Sequence, residues 1–411
     1  SMLAYRIGTD EFAMSGTVLG KSFKTFEEAE IRILQFAAAG AILGVAMGAA
    51  GSWLSVFIRH KVRGDGITRT ELDAPQEVTP TRTILKKIIR VAVPIALGSC
   101  VGQITGVIDL LSVYDRLHHA VNTGYDVLRT IYGSALPASK ALEDIPNYLN
   151  GCYKGMAVTL YNLIPTFTVA FGVSALPAIT TAWTQKNTGE LKENVEAVLR
   201  MTMLLVLPAG IGMSAMSHGV LALLYGTKPE EVEIAVPLLA VLGIAVIFSS
   251  ACSPINSMLQ AVGRADLPVK IMVGCAAFKL TFNYITVGIP QINILGAAIG
   301  TLICYVLIML ISMYFLLRIT KLKISFMTVF VKPALSAMLC ALTAVAVSRV
   351  VMLGASENVG TVIGISCGAA VYVASLVILR AITEDDIKRL PKGEKFAAIY
   401  NKLPGIKNKI R

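Results

Sequence analysis

Two ionisable residues stand inside long apolar runs: Asp109 in GQITGVIDLLSV and Lys279 in GCAAFKLTFNYITVGIP. A charge at membrane depth costs roughly 2.5–3.5 kcal/mol on insertion scales, so it is kept where it meets an opposite charge or faces a cavity. At about 1.5 Å per helical residue, Lys279 falls half way along its run and Asp109 in the outer half of its own. An ammonium at that depth offers an ion pair with Asp109 or attraction for an anionic substrate, and either neighbour favours its charged form. Asn283 follows Lys279 by four residues, which puts the two on one helix face. Gln103, Asn162, Asn256 and Thr301 are weaker candidates, since a single amide or hydroxyl in a membrane often only bridges helices. Lys154, at the end of its run, suits snorkelling to the interface. The candidate cavity residues are therefore Lys279, Asp109, Asn283, Gln103 and Asn162.

Such residues need elements that carry them across a bilayer. Of the 411 residues, 55% are hydrophobic and 15% charged, against about 25% charged in soluble domains. About nine runs are long enough to cross: 33–58, 86–112, 151–183, 196–225, 232–262, 266–289, 292–318, 326–352 and 358–382. They are far longer than barrel strands, and a helix satisfies its own backbone in hydrocarbon. The expected fold is an all-α integral membrane protein. The net charge of +11 fits Lys and Arg gathered in cytoplasmic loops and at anionic headgroups better than nucleic-acid binding. Segments following the odd-numbered runs, taken with the charges at the adjoining run ends, carry 26 Lys and Arg, and those following the even-numbered ones 6, so the first set and the C-terminus are expected to be cytoplasmic.

Residues 1–32 then form an external segment with neither a membrane run nor a signal peptide. With Ser1 ahead of Met2, this leads to the expectation that further helices precede it. Residues 59–85, around HKVRGDGITRTELDAPQEVTPTRT, read as a polar cytoplasmic linker, and 384–411 as a basic tail suited to anionic headgroups. The stretch 114–150 reads as an external loop holding His118 and His119 beside Asp115, with YDVLRTIYG along the interface. Pro94, Pro165, Pro177, Pro208, Pro237 and Pro254 predict kinked helices. AAAGAILGVAMGAAG and LGAAIG predict close helix contacts.

The seven cysteines lie in apolar runs without CxxC or ligand spacing, as small hydrophobes with free thiols. There is no GxxxxGK[ST], no HExxH and no carboxylate–histidine cluster. An enzyme, a bound cofactor and ATP-driven pumping by this chain are not expected. An ion gradient, the membrane potential or the substrate's own gradient must supply the driving force.

The order of AAAGAILGVAMGAAGSW, AVPIALGS with IDLLSV, YKGMAVTLYNLIPTFTVAFGVSALPAITTAW, LPAGIG with LLYG, SMLQAVGRADLPVK and FKLTFNYITVGIPQINILGAAIGT resembles the MOP (MATE-like) exporter superfamily. The similarity is to its polysaccharide-transporter and lipid II flippase branches, in particular the spore-cortex and MurJ-type flippases. Such proteins have two six-helix lobes, some with two extra C-terminal helices. On that plan 33–58 is the last helix of a first lobe, 86–318 a MATE-like six-helix second lobe, and 319–383 the two additional helices. The resemblance implies that Asp109, Lys279 and Asn283 line the second lobe. It also implies that Asp109, Asn283 and Thr301 match positions that couple a cation, Na+ or H+, in some relatives. Lys279 departs from a cation site, because its ammonium would exclude sodium and could substitute for it. The implied function is a flippase for a lipid-linked, polyprenyl-pyrophosphate oligosaccharide or peptidoglycan precursor in the bacterial cytoplasmic membrane. The alternatives are a cation-coupled drug or metabolite antiporter and a non-transporting membrane scaffold. A membrane-embedded glycan transferase is disfavoured by the lack of acid and base clusters.

Overall fold

The computed structural model describes residues 2–18, 20–23, 26–64, 80–136 and 142–379. The predicted tail at 384–411 and residues 65–79 of the predicted linker lie outside them. The chain divides into two compact units, Ser1–Thr81 and Arg82–Arg411.

In the first unit, α1 (Met2–Ser15) leads into a two-stranded hairpin, β1 (Thr17–Val18) against β2 (Lys21–Ser22), with Val18 opposite Lys21. Gly20 turns the hairpin at φ 75°, a conformation that costs glycine little. Tyr5, Phe12 and Phe23 pack around Val18, Ala29 and Ile33, which roots the start of α2 (Phe26–Arg63). At about 1.5 Å per residue, this helix is longer than a bilayer core requires and contains the expected run 33–58 whole.

The second unit is a bundle of long apolar helices. Its first helix, α3 (Thr81–Tyr132), corrects the sequence reading: the run at 86–112 does not end in a loop but continues as helix through His118, His119 and YDVLRTI. Val113, Leu117, Val121 and Leu128 recur at helical spacing and are all fully buried, a stripe too narrow to read as a membrane run and wide enough to hold the helix on the core. At Gly124 the helix breaks, with φ −147° and ψ 42°. A Cβ there would come within 2.6 Å of Pro290, so the bend and the missing side chain let proline seat against α3.

The chain then forms α4 (Ile145–Gly151), which runs through a π-helical turn at Cys152–Ala157 into α5 (Val158–Thr184). Next come α6 (Thr188–Ala215), α7 (Ser217–Tyr225), α8 (Pro229–Ala261), α9 (Asp266–Val287) and α10 (Leu295–Thr320). A second π turn at Met327–Val331 opens α11 (Lys332–Met352), and α12 (Glu357–Ile378) follows. Asn187 caps α6 by accepting the Glu190 N–H on its side-chain oxygen, and its side-chain Nδ2 donates to the Glu190 carboxylate. α8 is apolar all round and sits at the centre, packed by α5, α6, α7 and α10, as such a helix must.

Among the described residues, seven helical spans are long and apolar enough to cross a membrane. The protein is therefore a multi-pass, all-α membrane protein. Of the nine runs expected, two are not among these seven. α3 is only partly described at the side-chain level, and α9 is made polar by Asp266, Lys270, Lys279 and Asn283. Pro165, Pro177, Pro208, Pro237 and Pro254 all lie inside helices.

Candidate functional site

α9 and α10 lie side by side in opposite directions, and three contacts fix their register. Gly296 faces Thr286, Gly300 faces Asn283, and the Cys304 thiol donates to the Cys275 carbonyl at 3.5 Å. LGAAIG thus brings two helices close, as its small residues predict. The space that a Cβ on Gly300 would fill is taken by Asn283 Oδ1. Asn283 is 1% exposed and Thr301, next in the chain after Gly300, is 5% exposed. Thr301 Oγ1 donates to the Ala297 carbonyl at 2.8 Å. Tyr153, from the π turn ahead of α5, reaches the same spot: its hydroxyl donates to the Ala297 carbonyl at 3.3 Å and lies 3.4 Å from Thr301 Oγ1. A π turn widens the helix by one residue, and such bulges are frequent at functional sites.

Lys279 stands one turn before Asn283 and is half-buried. The register of α9 against α10 places it beside the stretch from Thr301 to Tyr305. The Tyr305 ring packs against Tyr161 with centroids 6.2 Å apart. The buried Tyr161 hydroxyl meets no donor or acceptor at hydrogen-bond geometry among the described residues, although Tyr305 and Ser249 are its polar neighbours. α9, α10, α5 and the π turn ahead of it therefore bring one amide and several hydroxyls into an otherwise apolar bundle, with half-buried Lys279 one turn away on α9. This set can hold an anion or pair with a carboxylate. Its oxygens are neutral, and no group of three His, Cys, Asp or Glu gathers among the described residues.

The structure brings Lys279, Asn283 and Thr301 together. It does not bring Asn162 to them: Asn162 is on the exposed face of α5, one residue from buried Tyr161. Asn256 bridges helices, accepting from Ser312 Oγ of α10 at 3.4 Å. Lys154 lies over the Tyr153 ring, 5.4 Å from its centroid. Gln103 and Asp109 belong to α3, and their side chains lie outside the described residues, as does any pairing of Asp109 with Lys279. His118 sits 3.0 Å from the Asn122 amide within α3. Sequence reasoning missed Tyr153, Tyr161 and Tyr305, for an aromatic in an apolar run signals core. Gly300 was seen only as packing.

Two cavities contain none of these residues. One of about 420 Å³ is almost wholly apolar and lies among Pro208, Met213, Cys340 and Tyr372. The other, of about 460 Å³, is lined by His218, Glu233, Glu357 and Asn358, with His218 Nδ1 2.7 Å from the Glu357 carboxylate.

Residues 154–285 match the MatE family. Over 359 residues the chain is 22% identical to Stage V sporulation protein B of Bacillus subtilis (strain 168), an alignment covering 87% of this chain and 64% of that protein. It is 24% identical over 145 residues to the Lipid II flippase MurJ of the same organism, covering 35% of this chain and 26% of that one. The solved structure of the Lipid II flippase MurJ in an inward closed conformation aligns with a TM-score of 0.50 at 14% identity, over 92% of this chain and 65% of that chain. At such identity the likeness speaks for the fold alone. The chain spans just under two thirds of the length of Stage V sporulation protein B and of the solved flippase.

Proposed function

We propose that this chain, similar in sequence and fold to the SpoVB- and MurJ-like branch of the MOP (MATE-like) superfamily, forms the second lobe and C-terminal helices of a flippase. Its cargo is a lipid-linked, polyprenyl-pyrophosphate oligosaccharide or peptidoglycan precursor, moved across the bacterial cytoplasmic membrane by alternating access with the C-terminus cytoplasmic. The observation that carries this reading is the ammonium of Lys279 at mid-depth in α9, beside Asn283 and the Thr301–Tyr305 side of α10. A fixed cation in a low-dielectric setting attracts a pyrophosphate and repels a cationic drug. Asn283 and the hydroxyls then supply hydrogen bonds to sugar or phosphate oxygens. Alternating access requires one bundle to rock against another around a shared site, so the active species is the two-lobe protein.

The rival reading, a cation-coupled antiporter, is favoured by the MatE match over 154–285 and predicts a cavity that selects cations. Reconstitution of the two-lobe protein with fluorescent lipid-linked oligosaccharide separates them. Flipping that is lost in Lys279→Met supports the flippase; export of an organic cation that survives the same substitution supports the antiporter.

A further inference from the structure

We propose that Arg116 is a positioning residue, a clasp that sets the register of α3 against α9 and with it the depth of the α3 backbone at position 109 relative to position 279. Tyr284 belongs to the last turn of α9, where carbonyls lose their helical donors. The Gly288 N–H that would serve its carbonyl turns instead to Thr286. Arg116 Nε supplies the bond, donating to the Tyr284 carbonyl at 3.0 Å. Its guanidinium carbon lies 4.4 Å from the Tyr284 ring centroid. Three attractions coincide: a charge-assisted hydrogen bond, a cation over an aromatic face, and a cation at a helix C-terminus. Gly288 completes the seat, since a Cβ there would collide with the guanidinium.

Two more contacts continue in the same sense. Gly124 takes Pro290, and the Tyr132 hydroxyl donates to Asn293 Oδ1 at 2.5 Å. Position 116 on α3 meets 284 in the last turn of α9, and 124 and 132 meet 290 and 293 in the turn beyond Val287, so α3 runs on past the end of α9 in the sense in which α9 ends. Counting back from the clasp at about 1.5 Å per residue, Asp109 lies about 10 Å along α3 and Lys279 about 7.5 Å along α9. Counted from the clasp, the two positions differ by about 3 Å along their helices. That this register matters for transport rests on the flippase reading; the clasp itself rests on the contacts.

The test avoids transport. Ser112 and Thr281 lie about 6 Å and 4.5 Å back from the clasp, on α3 and α9 respectively. Ser112→Cys and Thr281→Cys are introduced together into the full chain in membranes and bridged with a short bis-methanethiosulfonate reagent, and the 112–281 link is quantified by peptide mass spectrometry. The link is expected to form when Arg116 is present. Arg116→Gln and, independently, Gly288→Ala are each expected to slow it by about tenfold per molecule, the scale of one lost charge-assisted hydrogen bond. Arg116→Lys is expected not to restore it, because an ammonium lacks the planar guanidinium that stacks on Tyr284. A purely structural role would lower the amount of protein and leave the rate per molecule unchanged. Unchanged rates in both Arg116→Gln and Gly288→Ala, or no link when Arg116 is present, would overturn the proposal. Gly288→Ala leaves Arg116 in place, so the test survives if Arg116→Gln fails to insert. Failure of lipid flipping alongside an Arg116-dependent link would count against the flippase and not against the clasp.

Discussion

Between α9 and α10, Gly296 and Gly300 lie against Thr286 and Asn283. Between α11 and α12, Gly360, Gly364 and Gly368 lie against Met352, Ser348, Ala344 and Cys340. Both pairs use glycines four apart, yet the spaces so made are filled differently. At Gly300 the filling atom is the tip of a polar side chain. At Gly364 and Gly368 backbone takes part: the Ala344 carbonyl stands 2.6 Å and Ser348 Cβ 2.8 Å from where a Cβ on Gly364 would be, and the Cys340 carbonyl and Ala344 Cβ both 2.9 Å from one on Gly368. One interface makes room for a buried amide next to a charged residue, and the other draws two backbones together. The same spacing in a sequence can therefore signal a site or a seam, and the facing residue decides which.

The sharpest way to break this contrast begins with Gly364→Ala. A backbone carbonyl cannot rotate away, so the helices must separate, and the expected cost is about 3 kcal/mol, at the upper end for overpacking. Thermal unfolding in detergent should show it, with no recovery on adding Ser348→Gly, which removes the Ser348 Cβ 2.8 Å away; full recovery would mean the obstacle is a side chain after all. Gly300→Ala should cost less, about 2 kcal/mol, by expelling the Asn283 amide. Here Asn283→Ala should restore most of the loss, and the pair should show a coupling of about 1 kcal/mol or more in a double-mutant cycle. Strict additivity would mean that Asn283 does not occupy the space beside Gly300. Asn162→Ala, on the exposed face of α5, should stay within about 0.5 kcal/mol of the parent. A larger loss of stability would place Asn162 in a contact that the exposed face does not provide.

Helices were easy to read, because runs of some twenty apolar residues have few other uses. The Lys279–Asn283 pair was also legible, since a spacing of four fixes a shared face whatever surrounds it. The extension of α3 to Tyr132 was not: residues 114–132 mix His, Asp, Arg and Asn with a single buried stripe, and the polar majority read as loop. The side of α5 that carries Asn162 was hidden for a different reason. α5 is apolar on nearly all sides, so its sequence does not say which face is buried, and only packing on α8 puts Tyr161 inside and Asn162 out. The Tyr153 hydroxyl reaches Thr301 from a position 148 residues away along the chain, a pairing that no local pattern encodes.

Charge at position 279 is the centre of the account, and the most direct measurement is flipping of a pyrophosphate-linked lipid by the two-lobe protein carrying Lys279→Met, Lys279→Arg or the native residue. Methionine keeps the length and apolar stem without the ammonium, and arginine keeps the charge with a different head. With all three present at equal levels in the membrane, flipping should be lost in Lys279→Met and partly retained in Lys279→Arg. Native rates of flipping by Lys279→Met would reduce the lysine to packing and contradict the account.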